Sequence, residues 1–276
     1  MNQLYESVGI SKQAVHQYER RQTVFDRRLM ALMSEANDIR RDHPGCGVEK
    51  IYYTLKPGFI GRDRFVETFM QLGYRLKRKK NYRRTTIAGK IYYPNQIKGL
   101  EINAPSVVWQ SDITYYRVKD KFYYAVFIID VYSKEIVGYK VSDHMRGTAN
   151  VQALKMALKE HKAPKIHHSD RGSQYTYKTY TDLLKANSTT VSMALSAQDN
   201  AYAERINKTI KEEYLDHWKP QSFNQLKTQV RKAVKNYNIK RSHDHLGKKS
   251  PKDFINYWST LKPEKRPVIT IFDNEN

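Results

Sequence analysis

The sequence predicts an α/β protein whose main domain is a mixed five-stranded sheet flanked by helices, preceded by small all-helical modules. Three observations carry this. From Val107 onward, apolar and β-branched runs alternate with helical stripes in the order β-β-β-α-β-α-β-α. Before Pro94 the apolar residues recur at helical spacing. A length of 276 residues is enough for one sizeable core plus one or two small modules.

Residues 2–20 read as a helix, a turn and a second helix, with Leu4, Val8, Ile10, Ala14, Val15 and Tyr18 as apolar contacts. Gly9 permits the turn and Ser11 can cap the helix that follows. In such a helix-turn-helix, Lys12, Gln13, His16 and Gln17 are candidate groove-facing residues. A helix from Val24 to Arg41 follows, with Phe25, Leu29, Leu32, Ala36 and Ile39 on one stripe. A second helical pair begins at Val48, is broken by Pro57 and Gly58, and ends at Gly73. Arg62 and Arg64 open its second helix. From Arg75 to Lys90 there are eight basic residues and no acid, so Lys79, Lys80, Arg83 and Arg84 are candidate DNA backbone contacts, with Tyr82, Tyr92 and Tyr93 interleaved. The stretch Pro94 to Pro105 is irregular and reads as a boundary. The expected division is 1–41, a helix-turn-helix with a connecting helix; 42–95, a second helix-turn-helix with the basic run; 96–262, the α/β core and carboxy-terminal helices; and 263–276, a loose tail.

In the core, Val107 to Tyr116, Phe122 to Val131 and Glu135 to Val141 read as three consecutive antiparallel strands joined by short turns. A helix over Thr148 to His161, a strand over Pro164 to His168, a helix over Tyr177 to Lys185 and a strand over Thr189 to Met193 precede the helix bearing Glu204. Phe223 to Tyr237 carries one more amphipathic stripe. This order is that of a ribonuclease H-like core.

Asp112 is a lone acid in the apolar run around WQSDITYY, and a carboxylate there is costly to desolvate without a partner such as a metal ion. Asp170 sits just past a short strand in KIHHSDRGSQY, and Glu204 lies near the start of a helix. The 34 residues between them can hold one helix and one strand, so the fold can gather all three carboxylates. Oxygen ligands of this kind favour Mg²⁺ or Mn²⁺. Asp130, which closes the second strand, reads as structural, and His167 and His168 read as packed side chains.

A net charge of +21, from 49 Lys and Arg against 28 Asp and Glu, favours a polyanionic partner, nucleic acid first. No apolar run spans a bilayer, and the amino terminus shows no secretory pattern. The single cysteine, Cys46, excludes an intramolecular disulfide and a Cys-based zinc cluster, which fits a reducing cytoplasm.

WQSDITYY, HSDRGSQY, DNAYAERINKTIKEEY and YNIKRSHDHLGKKSPKDF, in that order, resemble the bacterial insertion-sequence transposases of the DDE class, whose catalytic part is similar to retroviral integrases. The likeness is to the IS-three group, to its large catalytic reading frame, and covers roughly residues 40 to 258. The resemblance implies a DNA transposase, a polynucleotidyl transferase that cuts and joins strands at the element's ends. Asp112, Asp170 and Glu204 would then be catalytic and would hold two Mg²⁺ or Mn²⁺ ions. It implies DNA contacts from Lys208 and Lys211, at i+4 and i+7 from Glu204, and from Asn200 and Arg205; and, since RDHPGCGVEKIYYTLK resembles the family's second helix-turn-helix, it puts Arg62 and Arg64 at the start of a DNA-recognition helix. The implied partners are double-stranded DNA, both terminal inverted repeats and target, with further copies of the chain on that DNA and a product of an upstream frame. The expected place is the bacterial cytoplasm, at the nucleoid when DNA is bound. A nuclease of the same fold without strand transfer, and a catalytically silent DNA-binding regulator, are the alternatives. Spacing alone allows a structural clamp as the role of the carboxy-terminal motif.

Overall fold

A computed structural model of the protein describes residues 11–76 and 93–271. Among these the chain forms two compact units, 11–42 with 46–75, and 43–45 with 76 and 93–271. The basic residues Lys79, Lys80, Arg83 and Arg84 and the expected first helix at residues 2–10 lie outside the described residues.

The first unit is helical. The helix expected to end near residue 20 and the one expected from Val24 are a single helix, α1 (Lys12–Asp42). The reason is local: residues 20–23, Arg-Arg-Gln-Thr, include neither Gly nor Pro, and the Thr23 hydroxyl donates to Glu19 O at 2.8 Å within the helix. Lys12 and Gln13 are exposed in its first turn. Helix α2 (Val48–Leu55) and α3 (Arg62–Gln71) follow, the latter closed by Gly73 at φ 87. The two modules expected from sequence share one core with α1, in which Leu32 and Ala36 meet Ile51, Phe65 and Phe69. Arg62 and Arg64 are exposed in the first turn of α3. Arg62 pairs with Asp63, and Arg64 lies 4.5 Å from the centre of the Phe25 ring.

The second unit is the α/β core. Strand β1 (Glu101–Ile102) precedes the long hairpin β2 (Val108–Val118) and β3 (Lys121–Asp130), then β4 (Ile136–Ser142), α4 (Gly147–Glu160), β5 (Ile166–Ser169), α5 (Lys178–Ala186) and β6 (Thr190–Met193). Helix α6 (Ala201–Ile210) runs on through a π-helical turn at Lys211–Leu215 and a last helical stretch, Asp216–Trp218. Helices α7 (Phe223–Ile239) and α8 (Pro251–Thr260) follow, and β7 (Ile269–Thr270) closes the described chain. The sheet order is β4-β3-β2-β5-β6, with β2, β3 and β4 antiparallel and β5 and β6 parallel to β2.

The sheet is covered on both faces, which explains why β3 reads as a continuous apolar run over Ala125–Ile129. Val126 and Ile128 point to the side of α4 and α5, with Trp109, Leu154 and Leu184. Ala125, Phe127 and Ile129 point to the side of α6 and α7, with Ile206, Tyr214 and Val230. Gly138 on β4 is required by the close approach of α4: a Cβ there would lie 2.4 Å from Ala153 O and 2.9 Å from the Ala157 Cβ.

The residues from Pro263, expected to be a loose tail, carry β7, which pairs antiparallel with β1 through Glu101–Thr270 and Ile102–Ile269. Ile271 is buried with Ile97, Tyr132 and Phe254, so apolar burial holds this segment in place. Among the described residues no helix is long and apolar enough to cross a membrane.

Candidate active site

Period-two alternation decides which way each β2 side chain points. Trp109, Ser111 and Ile113 face α4 and α5: Trp109 and Ile113 join that core, and the Ser111 hydroxyl lies 3.0 Å from the Tyr175 hydroxyl. Gln110 and Asp112 therefore face α6. The parallel register Val108–Ile166 through Ser111–Ser169 ends one residue short of Asp112 on β2 and of Asp170 just past β5. Neighbouring strands are about 4.8 Å apart, so the two acids emerge side by side.

Glu204 comes from the first turn of α6, and three neutral amides tie that helix to β2. Gln110 Nε2 donates to Asp199 O at 3.2 Å, and its Oε1 accepts from Ala203 N at 3.3 Å. Asn200 Nδ2 donates to Ser111 O at 3.1 Å. Asn207 Nδ2 donates to Asp112 Oδ2 at 2.7 Å, while Asp112 Oδ1 accepts from Ile113 N at 2.8 Å. The entry to α6 is itself capped: Asp199 Oδ2 accepts from Leu195 N and Ser196 N at 2.8 and 2.9 Å. Asp170 Oδ1 accepts from Gly172 N at 3.0 Å.

The electrostatics of the three acids are those of a crowded anionic site. Burial pushes the Asp112 carboxyl up to about 8, with further upward contributions from Asp170 and Glu204. Glu204 is also raised, first by burial and then by Asp170. The acids are thus within range of one another's charge. Among the described residues no three His, Cys, Asp or Glu side chains are already gathered closely enough to ligate one ion. The donor set nevertheless suits a hard divalent cation: carboxylate oxygens, mutual repulsion that such a cation relieves, and a buried Asn207 Oδ1 with no hydrogen-bond partner among the described residues.

The other expected site residues are placed differently. Arg205 and Lys208 are exposed on α6. Lys211 is half-buried, 5.3 Å from the centre of the Tyr115 ring, and burial lowers its pKa. Asn200 is 2% exposed and its Nδ2 donates to Ser111 O, so its side chain faces β2 rather than the surface. Asp130 is buried and accepts from Ser106 N, Ser133 N and the Ser133 hydroxyl, a turn-holding role. His167 and His168 are buried against Tyr180 and Ser192 and held neutral by burial, pushed down to about 3 and about 4.

Sequence reasoning missed Gln110 and Asn207. The signal was present in each: Gln110 is an amide two residues before Asp112 in an apolar strand, and Asn207 is one helical turn past Glu204. The carboxy-terminal motif also resolves into contacts. Arg241 makes a bidentate pair with Glu213 at 2.7 Å for each contact, and His43 Nε2 lies 2.7 Å from the same carboxylate, its ring stacked on Tyr214. Asn238 makes two bonds to the Ile136 backbone, and Ser250 caps α8.

A mixed sheet with three antiparallel strands, two parallel ones and a helix delivering a third acid beside the central strand is the ribonuclease H-like fold of integrase cores. Two family profiles described as Integrase core domain match residues 102–197 and 189–251. The 31 kDa protein of insertion element IS600 from Shigella sonnei is 34% identical over 203 residues, 71% of this chain and 75% of that one. The transposase for insertion sequence element IS904 from Lactococcus lactis subsp. lactis is 34% identical over 190 residues, 67% of this chain and 74% of that one. A chain of the simian T-cell lymphotropic virus intasome, solved with PP2A regulatory subunit B56 gamma, is 13% identical with a TM-score of 0.51 over 82% of this chain and 74% of that chain, a likeness of fold. The chain belongs to the family of insertion-sequence transposases with an integrase core.

Proposed function

We propose that the protein cuts DNA at the ends of its insertion sequence and joins those ends to target DNA, with Asp112, Asp170 and Glu204 as the catalytic acids. The observation that carries this reading is the β2–β5 register, which brings Asp112 beside Asp170 while α6 presents Glu204, on the core of a family named for transposition. The three carboxylates would hold two Mg²⁺ or Mn²⁺ ions, which when bound supply charge neutralisation and Lewis acidity at a phosphate. The chain's own contribution is positional. Asn207 holds the Asp112 carboxylate, and Gln110 and Asn200 fix the distance between β2 and α6.

Arg205 and Lys208 would meet the phosphate backbone, a reading supported by their exposure next to Glu204, with Lys211 near Tyr115. The helical unit would read the terminal repeats through α3, where Arg62 and Arg64 are exposed, and through Lys12 and Gln13 on α1. Two ends must be joined in one event, so the working form is an assembly of several copies on DNA, with or without a product of an upstream frame.

The test is strand cutting and joining on end DNA in Mg²⁺. Asp112→Asn and Glu204→Gln should each abolish both reactions while leaving binding to end DNA nearly unchanged. Cleavage at the wild-type rate by either variant refutes the assignment. Cutting without joining in the wild-type protein would favour the nuclease alternative.

A further inference from the structure

Away from the three acids, the α/β unit holds a cavity of about 490 Å³ between the β3–β4 turn, the loop before α8 and the β7 segment. A cavity of that size is within the range of small-molecule sites. Its lining is unusual in two respects. Four tyrosine and phenylalanine rings contribute to it, Tyr132, Tyr202, Phe254 and Tyr257, and among the described residues no acid does. Two lysines contribute as well, each held over a ring: Lys134 Nζ lies 3.9 Å from the centre of the Tyr202 ring, and Lys249 Nζ lies 4.5 Å from that of Tyr257.

The rings divide by depth. Tyr132 and Phe254 are buried, their centroids 5.6 Å apart, with the Tyr132 hydroxyl donating to Pro267 O at 2.7 Å. Tyr257 is 44% exposed and forms part of the rim. Lys134 adopts φ 61, a left-handed conformation that an L residue holds at a cost, and its ammonium donates to Val131 O at 2.6 Å. The bond to Val131 O and the contact with the Tyr202 ring hold this ammonium at the cavity.

Planar aromatic surface next to two ammonium groups, in a lining that has no carboxylate among the described residues although the buried Asp130 is within range of the Lys134 charge, matches a planar group that carries a negative charge. We propose that this cavity takes one unstacked nucleotide of the bound DNA, its base against the aromatic wall and its phosphate at Lys134 and Lys249. The choice of a nucleotide over other planar anions rests on the transposase reading and on the net charge of +21. Stacking of a base on aromatic side chains offsets the loss of stacking in the duplex, and the two ammonium groups add the phosphate contact. Burial pushes Lys134 down to about 7, so an arriving phosphate also holds this lysine in its charged form. The acid site and this cavity are linked through α6: Tyr202 lies two residues before Glu204 on the same helix.

The test uses the full chain and three probes: deoxyadenosine monophosphate, deoxyadenosine and inorganic phosphate, with binding followed by NMR or tyrosine fluorescence. The monophosphate should bind at least about tenfold more tightly than either part. Tyr257→Ala and Lys249→Ala change residues outside the buried core and should each weaken it by about tenfold with unchanged thermal unfolding. Lys134→Met should do the same. A monophosphate that binds no more tightly than inorganic phosphate, or binding indifferent to all three substitutions, overturns the proposal. Asp112→Asn should bind the monophosphate as wild type does; loss in that variant would put the nucleotide at the acids and also overturn it. Should strand cutting fail in every assay while these bindings hold, the transposase reading falls and the nucleotide site stands.

Discussion

Replacing Asp112 by Asn should stabilise the metal-free protein at alkaline pH. Burial, with Asp170 and Glu204 nearby, pushes this carboxyl up to about 8, against about 3.9 for an unfolded aspartate. A group whose folded value is raised contributes its full stability below the unfolded value and loses it as pH rises through the folded one, here between about pH 4 and pH 8. One unit is about 1.4 kcal/mol. Asp112 is partly open to water, which screens its charge, so roughly half of the full four-unit cost, on the order of 3 kcal/mol, is the expected loss at pH 8. The amide introduced by Asp112→Asn would carry no such charge but keeps only one acceptor for Ile113 N and Asn207, a loss of about 1 kcal/mol. The net gain is on the order of 2 kcal/mol, or roughly 4–8 °C in the unfolding of a domain of this size. The assay is thermal unfolding at pH 5 and pH 8, with chelator and with Mg²⁺. Wild type should lose stability from pH 5 to pH 8 in chelator and recover it with Mg²⁺, and the variant should do neither. A variant that is less stable than wild type at pH 8 in chelator refutes the account of a repulsive acid cluster.

Asn207→Ala should leave the fold intact but lower strand cutting by about tenfold or more, since it frees the Asp112 carboxylate to rotate; full activity would show that Asn207 does not position it. Glu213→Gln should cost about 3–5 kcal/mol in chemical denaturation, because it leaves Arg241 buried without its bidentate partner, and a cost below about 1 kcal/mol would mean that water reaches the pair. Asp130→Asn should lower stability by about 1–3 kcal/mol, since the new amide meets backbone N–H donors, while cutting by the folded protein persists; complete loss of cutting with the fold retained would move Asp130 into the acid site. Neutralising Lys79, Lys80, Arg83 and Arg84 together should weaken binding to all DNA alike and flatten the salt slope by up to about 0.9 per lost contact, whereas an unchanged slope means that none of them touches phosphate.

What can be read from the sequence is set by local pattern, and what cannot is set by distant partners. The strands and helices of the core follow from runs such as YAVFIID, where apolar side chains on both faces require cover on both faces. The placement of Asp112 inside a strand and of Asp170 just past one is equally local. Strand β7 is illegible because two residues pair with two others across most of the core, in a stretch that reads as irregular. The break expected between residue 20 and Val24 has no Gly or Pro to make it, and the helix that starts at Lys12 runs through to Asp42. Asn200 reads as a contact from its place near Glu204, and only the packing of the helix on β2 shows that its Nδ2 is bonded to Ser111 O. The spacing of Lys211 from Glu204 assumes a regular α-helix; the π-helical turn that begins at Lys211 shifts the face on which the following residues lie, and no sequence period announces it.

The choice of amides around the acids has a physical logic of its own. Asp112 could have been held by an arginine, as Glu213 is held by Arg241, and the geometry would have been at least as firm. An arginine would also have satisfied the charge, pulling the carboxyl down and competing with any cation for its oxygens. At Glu213, where a fixed buried brace is the whole purpose, the chain uses the ion pair. At Asp112 it uses Asn207 and a backbone N–H, and it joins β2 to α6 with Gln110 and Asn200. Neutral donors fix position and leave the negative charge unspent. The chain carries 49 lysines and arginines, yet none is among the groups that shift Asp112; Lys211, which feels the Asp112 charge, is held over Tyr115 with its own charge disfavoured by burial. If the three acids hold a divalent cation as proposed, the repulsion that raises the Asp112 pKa is the repulsion the cation would relieve, so the two are thermodynamically linked.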